Sequence, residues 1–235
     1  MKIFFAGANT SQTNLPEVEH NRLNSLVAYP QLKAQKTIPQ KHWFIDSGAF
    51  SVFTGKKTID LEEYIKDLRK WKCGIYAGLD VIGDAEQTKK NCEIMKKAGL
   101  KPIPTFHFGE DYSYLEDYCK EYDFIALGGV AQLRTYPKVS AWLDNCFAII
   151  KKYWPKKIHG FAITGERYLK RYPFYSVDST SWLAGAKFNQ VAGIKDGTIY
   201  RPLHYTERNM KNIKHFLRLQ DEVTRLWEKK GVKWD

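Results

Sequence analysis

The sequence is short of the residues that staple a fold, bind metal or anchor a chain. Of its 235 residues only four are cysteine, Cys73, Cys92, Cys119 and Cys146, and no two of them form a CxxC pair. That spacing supports neither a zinc site nor a disulfide scaffold and reads as free, mostly buried thiols in or beside helices. No apolar run approaches the length of a membrane span, and the opening MKIFFAGANTSQ lacks a secretory pattern. The expectation is a soluble cytoplasmic protein (host cytoplasm if viral) with no membrane contact. No GxGxxG follows an early strand, which removes the dinucleotide fingerprint, and no cofactor is expected. Acid is scarce too: 26 Asp and Glu against 37 Lys and Arg leave a net charge of +11. Such a surplus suits a polyanion, because cationic side chains release counterions from phosphates, although solvated lysines need no partner.

What is present is a repeated grammar of apolar run, turn and amphipathic stretch. KIFFAG (2–7), HWFID (42–46), GIYAGLD (74–80), KPIPTFHF (101–108), DFIALGGV (123–130), KIHGFAITG (157–165) and PFYSVDST (173–180) read as strands, and TIYRPL as a possible last one. Helices are expected over 60–71, capped by Asp60, and over 84–99, capped by Asp84 and closed by Gly99. Two more follow at SYLEDYCKEY and 138–153, with ERYLKRY a short separating segment. A long C-terminal helix is expected at about 206–230, with Met210, Ile213, Leu217, Val223, Leu226 and Trp227 on its packed side. The segment 8–40 is polar and irregular, with room for a helix. Seven or eight strand–helix units in one domain, 1–235, predict an α/β fold, a compact (β/α)8-type TIM barrel without a zinc subdomain.

In such a barrel the C-terminal strand ends converge on one mouth. Those ends carry Asp46, Asp80, His107, Gly128, Gly129 and Asp178. A carboxylate at the end of an apolar run is unfavourable unless paired, hydrogen-bonded or solvated. Each acid alone also fits a turn or cap: Asp178 before STSW reads as an N-cap, and Asp80 as an acceptor of loop amides. Three of them at matching positions point to a site.

The segments DSGAF (46–50), GLDVIGD (78–84), FIALGGVAQ (124–132) and FYSVDSTSW (174–182), in this order, resemble the tRNA-guanine transglycosylase superfamily. Its members are (β/α)-barrels that exchange guanine in a nucleic acid for a 7-deazaguanine. The small size is most like the phage-type branch that modifies DNA. The resemblance, which runs from about residue 43 to 182, implies that Asp178 is the nucleophile and Asp46 the acid/base. It implies that Asp80 recognises the base, that Phe50 stacks on it beside Ser47 and Gly48, and that Gly128 and Gly129 present backbone amides. His107 falls near a position where the family uses a glutamine. Ala49, Ser51 and the run from Ser179 to Trp182 depart from the family pattern, and the CxCxxC zinc cluster of the tRNA enzymes is missing.

The expected partners are therefore DNA, with tRNA as the alternative, and a free 7-deazaguanine such as the 7-cyano form. Arg167, Lys170, Arg171, Lys187 and Arg201 are candidate phosphate contacts, with Tyr168, Tyr172 and Tyr175 interleaved for stacking. A solvated face with inward-packed tyrosines is the plain alternative. A barrel glycoside hydrolase using two of the acids and a non-catalytic nucleic-acid binder are the competing functions.

Overall fold

In the computed structural model, which describes residues 1–7, 23–55, 58–133, 135–183 and 205–234, strands and helices alternate along the chain. Strands β1 (Lys2–Ala6), β2 (Ser25–Ala28), β3 (Phe44–Asp46), β4 (Ile75–Tyr76), β5 (Thr105–His107), β6 (Phe124–Gly128), β7 (Lys157–Gly160) and β8 (Ser176–Ser179) form one sheet. Their order is β4-β3-β2-β1-β8-β7-β6-β5. Every pairing within it is parallel, and the first strand lies beside the last. The two ends of that order meet at one point. There Ala77 bridges Ile103 in parallel, Gly78 N–H reaches the Ile103 carbonyl at 2.8 Å, and Ile103 N–H reaches the Tyr76 carbonyl at 3.1 Å. The expected α/β class is thus present as an eight-stranded, all-parallel, curled sheet with helices.

Side-chain parity decides what each face carries, because successive strand residues point to opposite sides. Register sets Phe4 beside Asp178, Leu26 beside both Ala6 and Phe44, and Ala28 beside Asp46. It also sets Ala126 beside Thr105 and His159, His159 beside Ser176, and His107 beside Gly128. These residues share the concave face. Its lower layer is apolar, with Phe4, Leu26, Phe44, Ala77, Ile103 and Ala126 in one cluster. The layer nearer the strand C-termini is polar, which is where the candidate acids sit. On the outer face Ile3, Phe5, Ile125, Ile158 and Val177 join one helix-packed cluster, and Val27 and Ile45 another.

The helices follow the sequence grammar closely. Helix α1 is Tyr29–Gln35, α2 Ala49–Phe53, α3 Leu61–Trp71, α4 Ala85–Lys97, α5 Tyr112–Glu121, α6 Tyr136–Ile150, α7 Glu166–Arg171 and α8 Tyr205–Lys229. Asp60 caps α3 by accepting from Glu63 N–H at 2.8 Å, and Asp84 caps α4 by accepting from Gln87 N–H at 2.9 Å. Such caps contribute about 1 kcal/mol each. Cys92, Cys119 and Cys146 are buried and free, as expected, and Cys73 is half-buried. Among the described residues no helix is long and apolar enough to cross a membrane.

Three expectations change. The segment 8–40 contains a strand, β2, as well as helix α1 at its described end. SLVA is buried along most of its length, so it lacks the alternation that marks a strand with one wet face. ERYLKRY is not a mere separator but holds helix α7. On α8 the packed stripe is Ile213, Phe216, Leu219, Val223 and Trp227, whereas Leu217 is 37% exposed. One residue's rotation, about 100°, carries Leu217 off the face that Phe216 occupies. TIYRPL lies outside the described residues.

Candidate active site

The polar end of the concave face opens into a cavity of about 220 Å³. Asp46, Asp80, His107, Gly128, Gly129 and Asp178 all line it, together with Phe50 and Phe53 at the rim. The three carboxylates therefore come from β3, from the segment after β4 and from β8 to one opening. Phe50 and Phe53 stand 64% and 61% exposed on α2, a large apolar area for a surface helix. Leu26, Val130 and Phe161 complete apolar walls. The cavity is smaller than the roughly 300 Å³ lower bound of drug-sized pockets, which suits a single flat ring system.

Each acid has a different environment. Asp46 is half-buried. Burial, then the nearby charges of Asp80 and Asp178, push its carboxyl up to about 7, against the backbone hydrogen bonds of Gly48 and Ser47. A carboxyl poised there can both give and take a proton at neutral pH.

Asp80 is held on both oxygens. The Ser47 hydroxyl donates to Oδ1 at 2.5 Å, and His107 Nε2 lies 2.9 Å from Oδ2. Ser47 is buried behind Asp80 and does not line the cavity, so its place is to orient that acid. Gly48 does not line it either. Its φ of +87° makes the turn into α2, and a Cβ there would meet Pro30 Cδ at 2.5 Å.

His107 is itself clamped from the other side. Glu110 Oε1 lies 3.1 Å from His107 Nδ1, and Glu110 Oε2 accepts the His107 backbone N–H at 2.8 Å. Burial of the imidazole opposes its protonation. The hydrogen bonds and charges of Asp80 and Glu110 outweigh that, and the pKa rises to about 9. Asp80, His107 and Glu110 thus form a buried chain of acid, imidazolium and acid.

Asp178 is only 6% exposed. It is not an N-cap: it lies within β8, and its Oδ1 accepts from Ala162 N–H at 3.1 Å and faces His159 Nε2 at 3.2 Å. Gly129 turns the chain after β6 with φ +84°, and a Cβ there would sit 2.9 Å from Phe108 N. Only glycine fits that close approach in the left-handed region.

The candidate phosphate contacts behave less uniformly, and Arg167, Lys170 and Arg171 do not line the cavity. Lys170 pairs with Glu166 at 2.7 Å and Glu222 at 2.6 Å, and Arg171 pairs with Asp144 at 2.6 Å. Arg167 lies over the Tyr136 ring, 5.4 Å from its centroid, and Tyr136 stacks on Tyr168 at 5.0 Å. These three line an open groove at the start of α6 and α7, the helices that follow the C-terminal ends of β6 and β7. Tyr172 is buried and bonded to Ser140 and Asp144, so it packs inward. Lys187 and Arg201 lie outside the described residues.

Sequence reading missed Glu110, His159, Ser176 and Gln132, the last of which also lines the cavity. A signal existed for one of them. Ser176 stands two residues before Asp178, so strand alternation puts it on the same concave face.

Among the described residues no group of three or more His, Cys, Asp or Glu is arranged to hold a metal ion. No family model matches the chain, and no curated protein matches it.

Proposed function

We propose that this chain is a guanine transglycosylase that replaces guanine in DNA with a 7-deazaguanine, working at the mouth of a closed (β/α)8 barrel. The observation that carries the reading is the convergence of Asp46, Asp80 and Asp178, 132 positions apart at the extremes, on one cavity of single-base size. The bridge between Ala77 and Ile103 supports closure of the sheet.

Each role follows from the surroundings of the group. Guanine presents two adjacent donors, N1–H and the exocyclic amine. Asp80, with each oxygen already fixed by one donor, keeps a lone pair on each to accept them as a fork. Backbone amides at Gly128 and Gly129 face the base, and Phe50 covers its ring. The Asp178 carboxylate attacks the anomeric carbon as the carbon–N9 bond breaks, and the proton that the departing guanine needs comes from the Asp46 carboxyl. The sugar is then esterified to Asp178. The incoming base gives its N9 proton to the Asp46 carboxylate and attacks the same carbon, and the Asp178 oxygen leaves. Two inversions give net retention, as in retaining glycosidases. An oxocarbenium-like transition state gains from the surrounding carboxylates.

A base in a duplex must leave the stack to reach such a cavity, at a cost of a few kcal/mol. The net charge of +11 and the Tyr136–Arg167–Tyr168 stack, on helices that follow the C-terminal ends of β6 and β7, support a nucleic-acid strand at that end of the sheet. Incubation with radiolabelled guanine or 7-cyano-7-deazaguanine, and either DNA or tRNA, tests the assignment. Label is expected in DNA. Label in tRNA alone would move the same chemistry to RNA, and label in neither would remove it.

A further inference from the structure

His159 is fully buried among three aromatic rings, with Phe44 and Phe161 centroids 4.5 Å away and Phe4 at 6.1 Å. A phenylalanine would fill that place, so packing does not explain an imidazole there. Its two nitrogens are both used. Nε2 faces a carboxylate oxygen of Asp178 at 3.2 Å and so must carry the proton. Nδ1, 2.9 Å from Ser176 Oγ, then accepts from the hydroxyl. The donors run one way, from Ser176 through His159 to Asp178.

A second donor meets the same oxygen. Ala162 N–H reaches Asp178 Oδ1 at 3.1 Å, and Ala162 sits at φ +58°, in the left-handed region. For a residue with a Cβ that conformation costs about 1 kcal/mol, and it persists where the surroundings hold it. Two donors thus converge on Oδ1, while among the described residues Oδ2 accepts none.

We infer that Asp178 reacts through Oδ2 alone, and that Ser176, His159 and the Ala162 N–H are the device that fixes which oxygen meets the sugar. His159 is a positioning residue: it does not line the cavity and acts through Asp178. Its effect falls on the attack step, because a rotated carboxylate must be reoriented in every turnover, and base binding at Asp80 is untouched. The inference rests on Asp178 being the nucleophile of the proposed exchange.

Three variants, His159→Phe, His159→Gln and Asp178→Ala, assayed for incorporation of labelled guanine into DNA, test it. His159→Phe keeps the ring volume and is expected to lower kcat about 30-fold with KM for the free base unchanged, the scale on which misplaced reacting groups slow catalysis. His159→Gln, whose amide nitrogen can take the place of Nε2, is expected to recover kcat to within about fivefold of the parent. Parent-level kcat in the Phe variant, equal losses in Phe and Gln, or a change confined to KM would overturn the inference. Should the Phe variant not fold, Ser176→Ala is read in its place, with about a fivefold kcat loss expected and an unchanged kcat overturning the idea. Asp178→Ala separates the two levels. Exchange surviving in that variant removes the proposed function itself, whereas an inactive Asp178→Ala beside a fully active His159→Phe removes only the positioning role.

Discussion

Asp80 and Asp178 line the same cavity, are 8% and 6% exposed, and each has a histidine nitrogen within 3.2 Å. Their surroundings then part. Asp80 has a donor on each oxygen, and its histidine is tied to a second acid, Glu110. Asp178 has two donors on one oxygen, and its histidine is tied to a serine. The first arrangement immobilises both ends of a fork; the second pins one end and, among the described residues, leaves the other without a donor. In the proposed exchange the carboxylate assigned to binding and the one assigned to reaction differ in how their partners are distributed, not in how deeply they are buried.

The largest expected effect contrasts the two acids directly. Asp178→Ala should lower kcat for exchange by more than about 10³-fold, since the proposed exchange passes through a sugar ester on that residue. Asp80→Asn should leave kcat within about tenfold but raise KM for the free base by about 100-fold, because one acceptor of the fork becomes a donor facing a donor. Steady-state rates with labelled base separate these outcomes. A kcat loss of equal size in both variants would erase the distinction between binder and reactant.

The next effect concerns stability and belongs to the Asp80 side. The His107 pKa rises from an ordinary 6.5 to about 9 in the folded protein. A raised folded pKa stabilises fully below the unfolded value and is lost as pH climbs through the folded one. Its contribution is therefore complete below about pH 6.5 and fades towards pH 9, worth about 3 kcal/mol at its fullest by linkage. His107→Gln keeps an amide donor but no titration. Urea unfolding at several pH values should show the variant less stable by about 2 to 3 kcal/mol at pH 6, with the gap closing by pH 9.5. A gap that stays constant across that range would mean that His107 contributes as a neutral ring.

Much of this layout was legible because its marks are local. An acid at the end of an apolar run, as at Asp46 or Asp80, contradicts its own neighbours and invites a reason. A cap such as Asp60 or Asp84 is written within three residues of the helix it starts. His159 carries no such mark. Its meaning depends on register between β7 and β8, which sets it beside Ser176. Lys170 and Arg171 show the same dependence on remote partners. Glu222 and Asp144, distant in sequence, pair with them in space. The strand β2 hid because burial on both faces removes alternation.

The smallest effect sits at the rim of the cavity. Phe50 lines the cavity but is 64% exposed, so its ring adds little to the folded core and much to whatever occupies the opening. Phe50→Ala should change unfolding free energy by less than about 0.5 kcal/mol, as for surface positions. Loss of a stacking partner is worth about 1 to 3 kcal/mol per base, so KM for the free base should rise roughly 5- to 100-fold with kcat nearly constant. Thermal melts and the exchange assay on one preparation give both numbers. A variant that melts early while binding normally would place Phe50 in the fold and take the stacking face away from the site, leaving Asp80 and the glycine amides to hold the base.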